Sequence, residues 1–331
     1  MTKEYPTKYC EICKKPISVH INAKGHKESV SSYLKHRYCS NACKFKGNSI
    51  ERTGLNDATY YSAAMNRMYC SASQYKSFMG FPLMHSCEAR AIAELKSMWV
   101  PEVTKPMLIG SILDSLWEGA TAEQLVEKFP NCVSTRGETK GQLKAEYQQA
   151  FQLYQRSLQD EMFCKMMSGE KQVIMTGTIA DLPYKIKMDS FVDGVCITDL
   201  KTTQDASQDF RYFIPDSGER LPFYSAWGYD IQLAIYREIV RQNTGKTLRC
   251  YIAAIDKKPH PLPVVIELEP QLLDKKLEEV KRNSNKIIRL KNGEIPDDQL
   301  ERCEECDYCR DTHKCVIQSN SEFETHEIQG A

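Results

Sequence analysis

The stretch KIKMDSFVDGVCITDLKTT, residues 185–203, leaves a chain of this kind little freedom in its local fold. Two runs with a two-residue period flank Asp193-Gly194, a pair suited to a tight reversal, so the spacing predicts a β-hairpin. A strict two-residue loop pairs residues whose numbers sum to 387 and puts Asp189 and Asp199 on opposite faces. One extra loop residue, as a bulge, raises the sum to 388 and sets Asp189 directly across from Asp199. In that register Lys185, Lys187, Asp189, Asp199 and Lys201 share one face, and Tyr184, Ile186, Met188, Cys196 and Leu200 share the other. Polar and apolar sets separate only with the bulge, so the bulged register is the expected one.

Two carboxylates facing each other a strand apart repel unless a cation lies between them, and hard oxygen ligands favour magnesium or manganese. Lys201, two residues after Asp199 and on the same face, would sit beside that cation. There an ammonium can orient an attacking water and offset charge developing on a phosphate. The plain alternative is an exposed hairpin with ordinary ion pairs. Other segments bear on the choice. In YDIQLAIYREIV, Gln232 and Tyr236 lie four apart on one helix face, and in GSILDSLWEG, Asp114 and Glu118 do the same. Gly110 is expected to let a neighbouring backbone approach.

Taken in order, Gly110-x3-Asp114, Asp189, Asp199-Leu200-Lys201 and Gln232-x3-Tyr236 resemble the motif series of the PD-(D/E)xK nuclease superfamily, specifically its RecB/RecE-like branch, over about residues 70–315. The wording S-x-S-Q-Y-K-x-F, C-E-A, G-S-x-x-D-x-x-x-E-G and C-D-Y-C-R is similar to that of RecE-like phage proteins, the phage-type exodeoxyribonucleases. Asp114 stands where the wider family has His, and Met188 where the motif's name has Pro. The resemblance implies an α/β (α+β) fold, a restriction-endonuclease-like core with a central mixed sheet flanked by helices. It implies that Asp189, Asp199 and the Leu200 carbonyl hold a catalytic Mg2+ or Mn2+, and that Asp114 completes its shell or helps hold a second ion. Lys201 would activate the water, and Gln232 and Tyr236 would support the lysine or a nearby phosphate. The implied activity is Mg2+-dependent exonuclease action on duplex DNA ends in phage-type homologous recombination. Implied partners are DNA, a single-strand annealing protein and further copies of the chain in a homo-oligomer. Alternatives are an iron-sulfur nuclease of the CRISPR-adaptation type, and a non-catalytic DNA-binding or scaffold protein retaining the nuclease fold. The latter requires loss of an acid or of the lysine, and all three are present.

Fourteen cysteines add a second constraint. No apolar run approaches the roughly 18 residues of a membrane span, and MTKEYPTKYCEIC has no apolar leader segment, so the expected compartment is the cytoplasm, that of a bacterial host if the protein is phage-encoded. Clustered cysteines there read as metal ligands more than disulfides. Cys10, Cys13, Cys39 and Cys43 form C-x2-C-x25-C-x3-C, the two thiolate pairs that tetrahedral Zn2+ requires, in a segment too small to be stable without such a staple. Its wording, C-x2-C-x-K-P and then R-Y-C-S-x-x-C-K, resembles a treble-clef zinc finger. Residues 1–52 carry 11 Lys and Arg against four acids, as a phosphate-binding module would, whereas residues 294–331 carry three against 11.

Near the C-terminal end stand Cys303, Cys306, Cys309 and Cys315. Some RecB-like nucleases close the domain with an iron-sulfur cluster, so the resemblance implies a [4Fe-4S] cluster on upstream Cys87 with Cys306, Cys309 and Cys315. Cys303 could replace Cys315, and Zn2+ on the local four is the alternative. Cys70, Cys132, Cys164, Cys196 and Cys250 are isolated and expected in the core. The expected plan is a zinc finger over 1–52, a polar linker over 53–69, a nuclease domain over 70–315 and a disordered tail over 316–331. Within it, the periodicity predicts one long amphipathic helix through KGQLKAEYQQAFQLYQRSLQDEMFCKMM, and another from about Tyr224 to Gln242 stopped by Gly245.

Overall fold

A computed structural model describes the chain except for residues 1–4, 13, 22–24, 40–42, 44–46, 48–53, 139, 141, 315–316, 319–324 and 327–331. Strands β1 (Val173–Ile179) and β2 (Leu182–Met188) form an antiparallel hairpin. It turns at Ala180 and Asp181, both at positive φ. The centre is a four-stranded mixed sheet in the order β3 (Ser190–Val192), β4 (Cys196–Thr203), β7 (Arg249–Asp256) and β8 (Pro263–Glu267). β3 and β4 are antiparallel, β4 and β7 parallel, and β7 and β8 antiparallel. A parallel pair needs a long crossover, and here a helix supplies it. A small hairpin, β5 (Tyr212–Phe213) with β6 (Arg220–Leu221), sits within that crossover.

Helices cover both faces of the sheet, as its near-continuous burial requires. In chain order they are α1 (Val30–Tyr33), α2 (Ala63–Met68), α3 (Ala72–Met79), α4 (Glu88–Leu95), α5 (Lys105–Trp117) and α6 (Ala122–Lys128). Then come α7 (Ala145–Leu158), α8 (Glu161–Met166), α9 (Phe223–Ala226), α10 (Tyr229–Thr244), α11 (Pro270–Lys291) and α12 (Asp307–Asp311). On one face, Leu233, Ile239, Val280 and Ile287 of α10 and α11 pack with Tyr75 and Phe78 of α3 against Ile197 and Ile252. On the other, Ile112, Leu113, Leu153 and Phe163 of α5, α7 and α8 pack against Leu200, Ala253 and Ile255. Each such side chain, fully buried, contributes about 1.5–3 kcal/mol. Cys70, Cys132, Cys196 and Cys250 are buried among these elements as expected, while Cys164 is only half-buried.

Four expectations need correction. The long helix before the sheet breaks into α7 and α8, because the Asp160 side chain accepts from the Phe163 N–H and caps a new helix there. The helix expected from Tyr224 is likewise two. Gly228, at φ 63°, separates α9 from α10, and a Cβ at that position would meet Lys76 Cδ at 3.1 Å and Phe81 Cβ at 3.2 Å. Residues 54–69, expected as linker, are instead packed: Leu55, Tyr60, Met65 and Tyr69 are buried with Ile174 of β1. Lastly, Gly110 meets only the Thr202 Oγ1 at 3.7 Å, an ordinary contact, so no close backbone approach requires it. Much of the expected tail, residues 316–331, lies outside the described residues; within it, Ile317–Gln318 pairs antiparallel with Thr325–His326.

Candidate active site

β2 ends at Met188 and β3 begins at Ser190, with Asp189 in the bend between them. β3 pairs with β4 as Ser190↔Thr198, Phe191↔Ile197 and Val192↔Cys196, a sum of 388, which is the bulged register. That register brings Asp189 to the level of Asp199, and the Asp189 Oδ2 accepts a hydrogen bond from the Leu200 backbone N–H at 2.9 Å. One oxygen of Asp189 is thereby fixed to the neighbouring strand. Asp199 is 2% exposed. Its Oδ1 accepts from the Gln232 Nε2 at 2.7 Å, and its Oδ2 lies 2.5 Å from the Lys201 ammonium. The same ammonium donates to the Leu200 carbonyl at 3.1 Å, so it bridges two of the oxygens expected to face a cation.

Gln232 and Tyr236 come from α10, four residues apart, and their side chains meet at 3.3 Å. The Tyr236 hydroxyl donates to the Lys187 carbonyl at 3.1 Å. Their contacts brace Asp199 and the end of β2, where the resemblance implied support of the lysine or of a phosphate. Asp114 reaches the same pocket from α5. Together Asp114, Asp189, Asp199, Lys201, Gln232 and Tyr236 line a cavity of about 470 Å³. Lys185, expected on the shared polar face, is elsewhere: it is buried, donating to the Tyr60 carbonyl and to Asn66 Oδ1.

Charge is crowded here. Burial, reinforced by Asp199 and Asp114, pushes the Asp189 carboxyl well above the usual carboxylate range. Burial likewise pushes Asp114 up to about 7, with Asp199 and Glu118 adding to the rise against the pull of Lys201. For Lys201 burial acts downward, but Asp199 and Asp189 outweigh it and hold the ammonium above the ordinary lysine value. Acids that cannot all ionise together, presenting hard oxygens, are a donor set suited to Mg2+ or Mn2+.

Two lysines near these acids, Lys128 and Lys76, escaped the sequence reading. Lys128, at the end of α6, donates to Ser115 Oγ at 2.8 Å and lines the cavity with Lys187. The capping box Thr121–Gln124 announces that helix and could have located it. Lys76 of α3 shares the Tyr229 ring with Lys201, at 5.1 and 5.0 Å from its centroid, and burial together with Lys201 pushes it down to about 8.

Two groups of sulfur ligands lie apart from these acids. Cys10, Cys39 and Cys43 converge within 4.8 Å of one another, whereas Cys13 lies outside the described residues. Cys87, Cys303, Cys306 and Cys309 converge equally closely, and Cys315 lies outside the described residues. No helix among the described residues is long and apolar enough to cross a membrane.

Residues 71–312 match the pattern of a family described as a PDDEXK-like domain of unknown function, DUF3799. The crystal structure of a candidate exonuclease from Eubacterium rectale is 40% identical and superposes with a TM-score of 0.74, covering 80% of this chain and 96% of that one. A second solved structure, that of SSO0001, is 11% identical over 61% of this chain and 85% of that one, with a TM-score of 0.24. No curated protein matches.

Proposed function

Because the chain belongs to the PDDEXK-like family DUF3799, whose matched residues include every acid of the pocket, we propose that it is a divalent-metal-dependent deoxyribonuclease. The observation that carries this reading is the convergence of Asp114 from α5, Asp189 from the bend between β2 and β3, and Asp199 and Lys201 from β4 on one cavity. The Leu200 carbonyl, Asp189 and Asp199 would hold Mg2+ or Mn2+, with Asp114 completing the shell or sharing a second ion. When bound, such an ion polarises a phosphate oxygen and makes bound water a stronger nucleophile.

The chain's own residues supply the rest. Gln232 fixes Asp199 Oδ1, and the Leu200 N–H fixes one oxygen of Asp189, so both carboxylates are oriented before substrate arrives. Lys201, held protonated, cannot serve as the base; it orients the attacking water and offsets negative charge on the phosphate in flight. Lys128 and Lys187 on the cavity wall give adjacent phosphates of the strand a place to rest.

The proposed substrate is duplex DNA attacked from its ends, as an exonuclease in phage-type recombination or DNA processing. Support comes from the RecE-like wording and from the Eubacterium rectale relative, itself named as a candidate exonuclease. Residues 1–52 are proposed as a zinc finger on Cys10, Cys13, Cys39 and Cys43, its surplus of basic side chains serving DNA or a partner protein such as a single-strand annealer. The nuclease domain is proposed to run from residue 54, since residues 54–69 fold onto it, and the cytoplasm as its working compartment.

The test is degradation of linear against covalently closed duplex DNA in Mg2+. Linear DNA should be consumed and closed circles spared, and Lys201→Ala should lower the rate about 10²–10³-fold, with Asp199→Ala at least as severe. Equal degradation by wild type and both variants would overturn the site assignment.

A further inference from the structure

Four cysteine sulfurs from distant parts of the chain meet away from the acids. Cys87 is the N-cap of α4, Cys306 is the N-cap of α12, and Cys303 and Cys309 flank them. Cys87 and Cys309 stand 222 residues apart in sequence and 3.5 Å apart at their sulfurs. Cys306 lies 3.8 Å from Cys87, and Cys303 4.0 Å from Cys309. All four sulfurs fall within 4.8 Å of one another.

The candidate metal chemistries demand different spacings. One tetrahedral Zn2+ bonds every sulfur at about 2.3 Å, which sets the sulfurs about 3.8 Å apart. A [4Fe-4S] cubane carries each thiolate on its own iron, and the ligand sulfurs then stand about 6 Å apart. A disulfide would bring two of them to about 2.05 Å. The distances of 3.5, 3.8 and 4.0 Å straddle the first value, and even the 4.8 Å within which all four sulfurs fall is short of the second.

Opening the site to cubane size would have to break a well-tied surround. Ala89 N donates to the Glu301 carbonyl at 3.1 Å, and Glu301 N to Glu88 Oε2 at 3.0 Å. Lys286 of α11 holds both acids, at 2.6 and 3.1 Å. Arg302 donates to the Cys309 carbonyl at 3.2 Å and to Thr312 Oγ1 at 2.7 Å. Trp99 packs edge-on against Tyr308 with centroids 5.8 Å apart. The Cys306 backbone N–H donates to Cys303 Sγ at 3.3 Å, a bond that favours the thiolate form metal ligands need.

We propose that Cys87, Cys303, Cys306 and Cys309 hold a single zinc ion and not an iron-sulfur cluster. The ion staples the start of α4 to the C-terminal segment, and because zinc has no redox chemistry, closure of the domain is independent of oxygen. The four cysteines complete the tetrahedron without Cys315. The inference stands on the sulfur geometry and does not depend on the nuclease reading.

The experiment is metal analysis and visible absorption of the full-length protein, grown with both iron and zinc and purified without oxygen, beside Cys306→Ser. Expected are colourless protein without iron, and one zinc per chain fewer in the variant than in wild type. Where the variant does not fold, zinc stoichiometry with zinc-edge X-ray absorption of the wild type decides: about two zinc ions per chain, with an average shell of four sulfurs at about 2.3 Å, support the proposal. Brown protein carrying several irons per chain, or no metal at these cysteines, overturns it.

Discussion

Affinity of the acidic pocket for a divalent cation should fall steeply as pH drops through 7. Asp114, pushed up to about 7, must lose its proton to become a ligand. A single site of that value is ionised to about 0.1 at pH 6 and about 0.9 at pH 8, so this group alone tightens binding about tenfold across the interval. Asp189, raised well above 3.8 by burial and by its neighbours, steepens the dependence further. For Asp114 close to one proton should therefore leave for each ion bound at pH 6, falling to about 0.1 at pH 8. The same linkage has a sign for stability. An acid whose folded value lies above its unfolded one retains a proton the unfolded chain has lost. The metal-free protein should thus lose stability as pH rises from about 4 to 7, and the cation should restore it. For Asp114 the ceiling is about 4 kcal/mol, reduced by the water that reaches the pocket wall. Calorimetric titration with Mn2+ at pH 6, 7 and 8, in buffers of different ionisation heat and without DNA, measures both affinity and proton release. Asp114→Asn should abolish about one released proton at pH 6 and leave the value at pH 8 nearly unchanged. Affinity independent of pH, or unchanged proton release in that variant, would remove Asp114 from the ion's ligands.

Other outcomes follow from the same contacts. Gln232→Ala frees Asp199 Oδ1 and should lower kcat about 10- to 100-fold with KM for DNA little changed; a change confined to KM would assign Gln232 to substrate binding instead. Asp114→His should retain activity while raising the rate in Mn2+ relative to Mg2+, because imidazole is the softer ligand; an equal loss in both metals would remove position 114 from the metal shell. Asp160→Ala removes the cap that starts α8 and should cost about 1 kcal/mol in thermal or denaturant unfolding, with activity per folded molecule intact. Leu153→Ala, in the core between α5 and α7, should cost about 2–5 kcal/mol by the same measurement.

The hairpin register could be read from the sequence because a one-residue slip exchanges every side chain between faces, and only one slip separated charge from hydrocarbon. Partner identity was less legible. Lys185 belongs to the polar alternation, yet β2 leaves the β3–β4 pair to join β1, and the ammonium ends up buried against Tyr60 and Asn66. Nothing local to residues 54–69 reveals that Tyr60 and Met65 will share a core with Ile174, a contact across more than a hundred residues. Breaks at Asp160 and Gly228 were hidden for the opposite reason. The apolar period runs through both, and only capping chemistry and a left-handed glycine interrupt it. The spacing of Gln232 and Tyr236 placed them on one helix face but could not say that Gln232 grips Asp199 while Tyr236 ties down the end of β2.

Crystals soaked in Mn2+ and read by anomalous scattering show whether two carboxylates and a backbone carbonyl gather a divalent cation beside Lys201. A peak is expected about 2.1 Å from oxygens of Asp189, Asp199 and the Leu200 carbonyl, with the Lys201 ammonium drawn away from Asp199 Oδ2. Absence of a peak there at saturating Mn2+, with the Lys201–Asp199 pair still closed, would contradict that placement of the ion.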